Sequence, residues 1–188
     1  MFLIPSPLIA LATFPGVIVH ELAHQLFCRW FRVPVLEVCY FRVGNPAGFV
    51  THEPPRKSYH SLFISIGPFL INTVLGALIA FPAALPVMKF GEGDLFDYLL
   101  IWLGVSIAMH AIPTTGDAKS LWQSVKGPGV SSGVRFTVAP VVAIIYLAAL
   151  GRFFWLDLIY GIAVAVGLPT LLVAICSTLG EGPFFNRE

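Results

Sequence analysis

The chain has 188 residues, of which 57% are hydrophobic and 11% are charged. A typical soluble domain has about 25% charged residues, so this composition cannot cover a water-exposed surface. The net charge is +1, which provides no basic field for nucleic acid. We therefore expect one membrane-embedded domain over residues 1–188, surrounded by the lipid bilayer and binding no nucleic acid.

Five stretches have the length and the apolar composition of a membrane-spanning helix, which needs about 20 residues. They lie at Leu8–Trp30, Ser61–Met88, Leu95–Pro113, Phe136–Leu150 and Leu156–Leu179. The predicted fold class is an all-α polytopic membrane protein with about five transmembrane helices. The last two spans could instead form one broken hairpin, because only Arg152 and Asp157 mark the turn between them.

The basic residues orient these spans. With five spans, one side of the membrane would carry Arg29, Arg32, Arg42, Arg56, Lys57, Lys119, Lys126, Arg135 and Arg187, and the other side Lys89 and Arg152. Cytoplasmic loops are enriched in Lys and Arg, so the more basic side is the cytoplasmic one. We expect a multi-pass protein of the cell membrane with its N-terminus outside and its C-terminus in the cytoplasm.

The longest polar segment, Arg32–His60, contains the signals of a β-hairpin. Val35–Val43 alternates weakly and is rich in β-forming residues, and Asn45–Gly48 is a turn signal. Phe49–Thr51 could return as a second strand. We predict a small β-hairpin in this first cytoplasmic loop, at the membrane interface.

An HExxH motif lies inside the first span, at His20, Glu21 and His24. On a helix the residues at i and i+4 share one face, so the two imidazoles can bind one metal ion together. Glu21 lies beside them and could take a proton from a metal-bound water. Zinc lowers the pKa of such a water to about 7. The motif therefore predicts a Zn²⁺ site with Glu21 as general base.

The position of the motif inside an apolar span supports this interpretation. An ionisable side chain at the bilayer centre costs about 2.5–3.5 kcal/mol even on insertion scales. A helix that faces lipid gains nothing from that cost, whereas a metal in an internal, wet cavity offsets it. The alternative is a buried polar cluster that only packs helices together.

A catalytic zinc site usually has three protein ligands and one open position for water. Asp117 is the candidate third ligand, because it follows the third span on the same side as the His24 end of the first span. Pro113 and Gly116 interrupt the helix there and could turn the carboxylate toward the metal. Asp117 could instead cap a helix that begins near Ala118.

Other polar residues are candidates for roles near the metal. Glu53 and His110 are the rivals of Asp117, but Glu53 lies in a loop whose ordering would cost conformational entropy. His110 could also support a ligand, donate to the transition state or be a buried histidine with a satisfied hydrogen bond. Asn72 needs a partner inside the second span, which could be a neighbouring helix or a substrate backbone.

Together these residues resemble the site-2 protease family of intramembrane zinc metalloproteases. The family core of three spans carries HExxH, a Gly-Pro-x-x-x-Asn element and an Asp-bearing motif. The matching segments here are His20–His24, Gly67–Asn72 and the segment that ends at Asp117. The resemblance covers roughly Leu8 to Leu121, and the extra spans at 136–179 match nothing in the family that we can name.

The third motif departs from the family pattern, which commonly reads Asn-x-x-Pro-x-x-Pro-x-Asp-Gly. His110 stands where Asn is usual, the stretch is one residue shorter and Ala118 replaces Gly. By this resemblance we expect a minimal core, because no segment of the 188 residues resembles the PDZ or CBS domains of some family members.

The resemblance implies zinc bound by His20, His24 and Asp117, with Glu21 as the general base. It also implies that Asn72 lies near the substrate and that the β-hairpin lies beside the cleft. We therefore expect a zinc metalloendopeptidase whose partner is a membrane protein with a spanning helix. The alternative is a catalytically silent zinc-containing membrane binding protein or chaperone, but Glu21 favours the enzyme because a structural site has no use for a base.

Overall fold

The computed structural model describes residues 5–126 and 130–180. The helices are α1 (Ser6–Ala12), α2 (Phe14–Trp30), α3 (Ser58–Leu85), α4 (Leu95–Met109), α5 (Thr115–Lys126), α6 (Ser132–Gly151), α7 (Leu156–Ile162) and α8 (Leu168–Gly180), and the strands are β1 (Val35–Cys39) and β2 (Phe49–His52). Short 3-10 or π turns lie at Pro86–Phe90, Arg152–Phe154 and Ala163–Gly167. The all-α class with one small sheet is thereby confirmed. Arg187, which entered the charge count, lies outside the described residues.

The predicted count of five spans is not supported. Within residues 5–126 and 130–180, three helical segments are long and apolar enough to cross a membrane: Ser58–Met88, Ser132–Phe154 and Leu156–Ile175. A fourth crossing is added if α1 and α2 count as one bent span. The predicted third span is α4, whose 15 residues give a length of about 22 Å. That length is short of the roughly 30 Å hydrocarbon core, because the chain leaves the helix after Met109 to turn toward α5.

The predicted first span is not one straight helix. α1 and α2 meet at an angle of 88° at Thr13, where Pro15 lies in the first turn of α2. Side chains of α4 donate to two backbone carbonyls at the break, and one of these, Thr13 O, also accepts from Gly16 N at 3.1 Å. Trp102 Nε1 donates to Ala12 O at 3.2 Å, and Ser106 Oγ donates to Thr13 O at 3.1 Å. Tertiary hydrogen bonds therefore stabilise the bend, as irregular backbone in a membrane requires.

The predicted β-hairpin is confirmed. β1 and β2 pair antiparallel, with Cys39 opposite Phe49, and the predicted turn connects them. Tyr40 attaches the hairpin to α2, because its hydroxyl donates to Oε1 of the buried Gln25 at 2.5 Å. Gln25 follows His24 directly, so this bond holds the hairpin against the helix that carries the HExxH motif.

Helix α2 ends in a turn that directs the chain into the hairpin. Arg32 has a left-handed conformation, with φ of 55°, in the position that usually favours glycine. The amide of Val33 donates to Cys28 O at 2.8 Å, and the amide of Arg32 donates to Arg29 O at 3.1 Å. Val33 and Cys28 also pack together with Ile64 of α3. This apolar contact accompanies the pattern of a Schellman motif and fixes the exit from α2.

Helices α3 and α4 approach each other closely along a seam of small residues. Gly76 and Ala80 on α3 face Gly104 and Ala108 on α4, so both helices carry a small-xxx-small pattern. A Cβ atom added at Gly104 would lie 2.6 Å from the Gly76 carbonyl oxygen and 2.6 Å from the Ala80 Cβ. Glycine is therefore required here by the distance between the two backbones.

Helix α5 is amphipathic and packs against α6 rather than crossing the membrane. Its buried residues Ala118, Leu121 and Val125 form an apolar cluster with Val138 and Val142 of α6. Ser131 begins α6 by accepting a hydrogen bond from Val134 N at 3.4 Å, so the helix starts earlier than the predicted Phe136. The packing holds α5, and with it Asp117, beside the HExxH segment of α2.

Candidate metal centre

The two histidines of the HExxH motif point their Nε2 atoms at each other. These atoms lie 3.2 Å apart, as the one-turn spacing on α2 predicts. Each Nδ1 atom contacts a backbone carbonyl of another element. His20 Nδ1 lies 2.6 Å from His110 O, and His24 Nδ1 lies 2.9 Å from Ile64 O. Contacts of this kind orient the histidines of metal sites.

These contacts determine which nitrogen of each ring is free. A carbonyl oxygen only accepts hydrogen bonds, so each Nδ1 must carry the proton. In the neutral imidazoles of His20 and His24, the two Nε2 lone pairs face each other, and a metal ion between them would stabilise that arrangement. A proton on His24 Nε2, donated to Asp117 Oδ1 at 3.1 Å, would stabilise it as well. Two nitrogens bound to one tetrahedral zinc at about 2.0–2.1 Å lie about 3.3 Å apart. The observed 3.2 Å fits that arrangement.

Asp117 completes the cluster. Its Oδ1 lies 3.1 Å from His24 Nε2 and its Oδ2 lies 3.9 Å from His20 Nε2. One ligand atom from each of the three residues falls within 4.8 Å of the others, so the group could hold a metal ion. This set of two imidazoles and one carboxylate is typical of catalytic zinc sites. The residues present therefore fit a bound metal.

The carboxylate of Asp117 also caps α5. Oδ2 accepts from Thr114 N at 2.6 Å and from Thr114 Oγ1 at 2.7 Å. Asp117 N lies 3.3 Å from the same hydroxyl oxygen, which gives the reciprocal pattern of a capping box. The two readings of Asp117, metal ligand and helix cap, are therefore compatible. The helix begins at Thr115, three residues before the predicted start.

The surroundings keep Asp117 ionised. Burial alone would raise the pKa of its carboxyl, but the charge and hydrogen bond of His24, the charge of His20 and the hydrogen bond from Thr114 hold that pKa below its usual range. Ser65 of α3 also donates to Asp117 O at 3.3 Å, which ties the backbone at this point to α3. An ionised, fixed carboxylate is a ready metal ligand.

Glu21 lies beside the cluster under the turn of the hairpin. Its side chain is 8% exposed, and its carboxylate makes no hydrogen bond within the described parts of the chain. Gly48 lies so close that an added Cβ would be 2.7 Å from Glu21 Cγ. The hairpin can therefore cover Glu21 only because a glycine occupies this position.

Two cavities of about 640 Å³ and 600 Å³ meet at the cluster. Both are lined by His20, Glu21, the turn Asn45–Gly48, Thr114 and the end of α6. The first extends toward α1 and α7, and the second extends along β2 toward Asp117. Together they form a cleft between the hairpin turn and α6, with the three residues that could hold a metal ion in the middle.

Asn72 lies elsewhere than the resemblance implies. It is fully buried, and Nδ2 donates to Gly16 O at 3.3 Å and to Ile107 O at 3.1 Å. It lines neither of the two cavities. Asn72 therefore connects α2, α3 and α4, which is the helix-partner alternative rather than the substrate-contact one.

His110 and Glu53 differ in their relation to the cluster. The backbone carbonyl of His110 orients His20, while its own Nδ1 lies 2.9 Å from Ser106 O and its side chain lines the first cavity. His110 is therefore a supporting residue through its backbone. Glu53 is exposed and lines neither cavity. Of the rival third ligands, the structure brings neither side chain into the metal-binding group.

Two residues beside the cluster received no role from the sequence. The pattern Thr114-x-x-Asp117 is a capping-box signature, and it could have placed the helix start and the Thr114 hydroxyl correctly. Arg152 lines both cavities from the end of α6. Nothing local in the sequence indicates this position, because it depends on how α6 packs.

No protein-family model, curated protein or solved structure matches the chain. A function for this protein is therefore drawn from the chemistry of its site, which is where function resides on any fold.

Proposed function

We propose that this protein is a membrane-embedded zinc metalloendopeptidase of the site-2 protease type. The observation that carries the proposal is the convergence of His20, His24 and Asp117, with Glu21 beside them in a cleft. Asp117 lies 93 positions after His24, so local helix geometry does not place its carboxylate beside the two histidines. The fold of the chain brings the three side chains together. The alternative of a purely packing cluster is disfavoured, because such a cluster has no use for the Glu21 carboxylate that lies buried beside it.

Zinc is the metal that the donor set favours. Imidazole and carboxylate donors with a histidine nitrogen separation near 3.3 Å suit a tetrahedral zinc with one open position. When bound, zinc would make a water molecule acidic enough to supply hydroxide near neutral pH. In this proposal His20, His24 and Asp117 hold the ion, and Thr114 and the carbonyls of His110 and Ile64 orient them.

Glu21 is the proton carrier in this proposal. Glu21 lines both cavities, and its carboxylate makes no hydrogen bond within the described chain. It would take a proton from the attacking water and give it to the nitrogen of the leaving amine, which is the task of a general base and acid. A site that only stores zinc has no need of such a group.

The substrate class follows from the cleft and from its membrane setting. Peptide hydrolysis needs an extended backbone, because the carbonyls of a helix are hydrogen-bonded and shielded. The cleft extends from the cluster in two directions, toward α1 and α7 and along β2, so it could accept an extended segment. We propose that the substrate is a membrane protein whose spanning helix unwinds at the cleft.

We also propose five crossings, with the Arg32–His60 loop in the cytoplasm. Helix α4 would then be a short span, whose Met109 end is buried by α2 and α3 while Leu95 and Phe96 face lipid. Single cysteines at Thr51 and Glu92, both exposed, should label from opposite sides of the membrane. Labelling from the same side would rule out this arrangement.

The proposed function is tested with purified protein in detergent. The probe is a fluorescent peptide with an apolar span of about 20 residues followed by an extended polar segment. Wild-type protein should contain zinc and cleave the probe. Glu21→Gln should retain zinc and lose about 10²–10⁴-fold in rate, because the amide cannot accept a proton. Zinc-loaded wild type that binds the probe without cleaving it would instead support the silent binding protein.

A further inference from the structure

The cleft contains one positively charged side chain that the metal site does not use. Arg152, at the end of α6, lines both cavities together with His20 and Glu21. Among the described residues that line the two cavities, it is the only lysine or arginine. It belongs to the C-terminal helices, which carry none of the three metal-binding residues.

The guanidinium of Arg152 uses few of its hydrogen-bond donors within the described chain. Its Nη2 donates to Ile112 O, just beyond the end of α4. Its Nε is buried and has no hydrogen-bond partner in the described chain. A guanidinium has five N–H donors, so most of them remain available. Long basic side chains near the end of an apolar helix usually extend to water. Arg152 instead points inward, into the cavity that the buried carboxylate of Asp157 also lines. The charge of Asp157 offsets part of the cost of this placement, and most of the guanidinium donors still remain for a ligand.

Among the described side chains that line the cleft, the other candidate donors for a developing negative charge are engaged elsewhere or exposed, and the buried Ser65 hydroxyl donates to Asp117 O. When water adds to a peptide carbonyl, negative charge develops on the carbonyl oxygen, and donors placed there in advance lower the barrier. His110 donates through Nδ1 to Ser106 O, so its Nε2 is an acceptor in the neutral ring. The Thr114 hydroxyl donates to Asp117. Asn45 lies on the exposed hairpin turn.

We propose that Arg152 is a catalytic residue that donates hydrogen bonds to the carbonyl oxygen of the bond being cleaved. This inference rests on the proposed peptidase function. The oxygen of water bonds to the carbonyl carbon, the C=O electron pair moves onto the oxygen that faces Arg152, and Glu21 takes the proton. The C–N bond then breaks, the C=O bond re-forms, and the proton passes from Glu21 to the leaving amine.

The alternative role of Arg152 is to tie α6 to the end of α4. A matched residue separates the two roles. Arg135 lies on the same helix, and its Nε donates to Val125 O at 3.0 Å, but it lines neither cavity. If Arg152 only connects helices, Arg152→Gln and Arg135→Gln should behave alike.

The test compares two peptide inhibitors in addition to cleavage of the fluorescent probe. A phosphinic peptide carries a tetrahedral anion like that of the addition step, whereas a thiol peptide of the same sequence binds through one sulfur atom. Arg152→Gln should lower kcat by about 10²-fold, as loss of one such donor typically does. It should weaken the phosphinic peptide by a comparable factor and leave KM, zinc content and thiol-peptide binding unchanged. Arg135→Gln should match the wild type.

Several results would overturn the inference. Unchanged binding of the phosphinic peptide by Arg152→Gln would do so, and so would an equal loss for both inhibitors or the same kinetic loss in Arg135→Gln. A loss of kcat in Asn45→Ala with none in Arg152→Gln would assign the donor to the hairpin turn.

If Arg152→Gln does not fold, Arg152→Lys takes its place. Lysine keeps the charge without the planar fork, so it should weaken the phosphinic peptide selectively. Zinc-loaded wild type without any cleavage would refute the proposed function itself, whereas an active wild type with an unaffected Arg152→Gln refutes only this role.

Discussion

Helices α2 to α5 and helices α6 to α8 differ in how their polar side chains are buried. Nine polar or charged residues are buried in the described chain, and eight of them lie between His20 and Ser106. In α6 to α8 only Asp157 is buried in this way, within the residues that the structure describes. The polar groups of the first region connect different helices, as Asn72 does between α2 and α4.

This difference indicates how the site is constructed. Apolar packing is not directional, so the cluster between α5 and α6 allows small shifts without losing much free energy. Hydrogen bonds in a low-dielectric interior are directional and costly to leave unmade, so they fix the relative positions of α2, α3 and α4. Of the three residues that could hold a metal, His20 and His24 lie in the region fixed by hydrogen bonds. Asp117 lies on α5 and is tied to that region by the hydrogen bond from Ser65 Oγ to its backbone carbonyl. The C-terminal region supplies a wall of the cleft and the Arg152 side chain.

The largest expected effect is on zinc content, and it tests whether the metal ligands lie only in α2 to α5 and not in α6 to α8. Asp117→Ala should remove most of the bound zinc and the activity together, because it deletes one of three ligands. Asp157→Ala removes a buried carboxylate that lines the same cleft from α7, and it should leave zinc content at the wild-type level. Metal analysis of the purified variants measures both. Full zinc occupancy in Asp117→Ala would contradict the ligand assignment.

The next effect concerns the backbone separation of α3 and α4. Gly104→Ala should lower the free energy of unfolding by about 1–3 kcal/mol, because its Cβ would press on Ala80 and on the Gly76 carbonyl. Gly167 is the matched control in the C-terminal region, because an added Cβ there meets nothing within 4 Å. Gly167→Ala should be neutral or stabilise by about 0.4–1 kcal/mol.

Unfolding by denaturant in detergent micelles measures this pair. The two substitutions are chemically identical, so a difference between them reports the packing around each glycine. Equal destabilisation by the two substitutions would contradict the difference in packing between the α3–α4 contact and the C-terminal helices.

The sequence predicts the parts of this molecule that depend on local geometry. The HExxH spacing brings His20 and His24 together because one helical turn separates them, and the turn Asn45–Gly48 predicts the hairpin. Asp117 was identified through the resemblance and the expected course of the third span. The spacing of Thr114 and Asp117 is that of a capping box, so the pattern could also have predicted the contact between these two residues.

Other features could not be predicted, because they depend on contacts between distant segments. The 88° bend at Thr13 lies where Trp102 and Ser106 donate to the carbonyls of Ala12 and Thr13, and no pattern near Thr13 predicts those partners. The burial of Asn72 away from the cleft depends on how closely Gly16 approaches α4. An added Cβ at Gly16 would lie 1.9 Å from Ser106 O. The inward direction of Arg152 likewise follows from the packing of α6.

The smallest expected effect separates the two helix caps, one in each region. Thr114→Val removes the hydroxyl that donates to Asp117 Oδ2 and keeps the backbone amide that donates to the same atom. Ser131→Ala removes the cap of α6, which lies away from the cluster. Either change should cost about 1 kcal/mol of stability, as the loss of a cap typically does. Only Thr114→Val should also weaken zinc binding, by about 10–100-fold, because groups that orient metal ligands contribute that much to affinity.

Competition with a zinc chelator measures the dissociation constants of the two variants at a fixed pH. Wild-type zinc affinity in Thr114→Val would show that the backbone amide alone orients the carboxylate, and reduced affinity in Ser131→Ala would show that the C-terminal helices influence the metal site through the packing of α5 on α6.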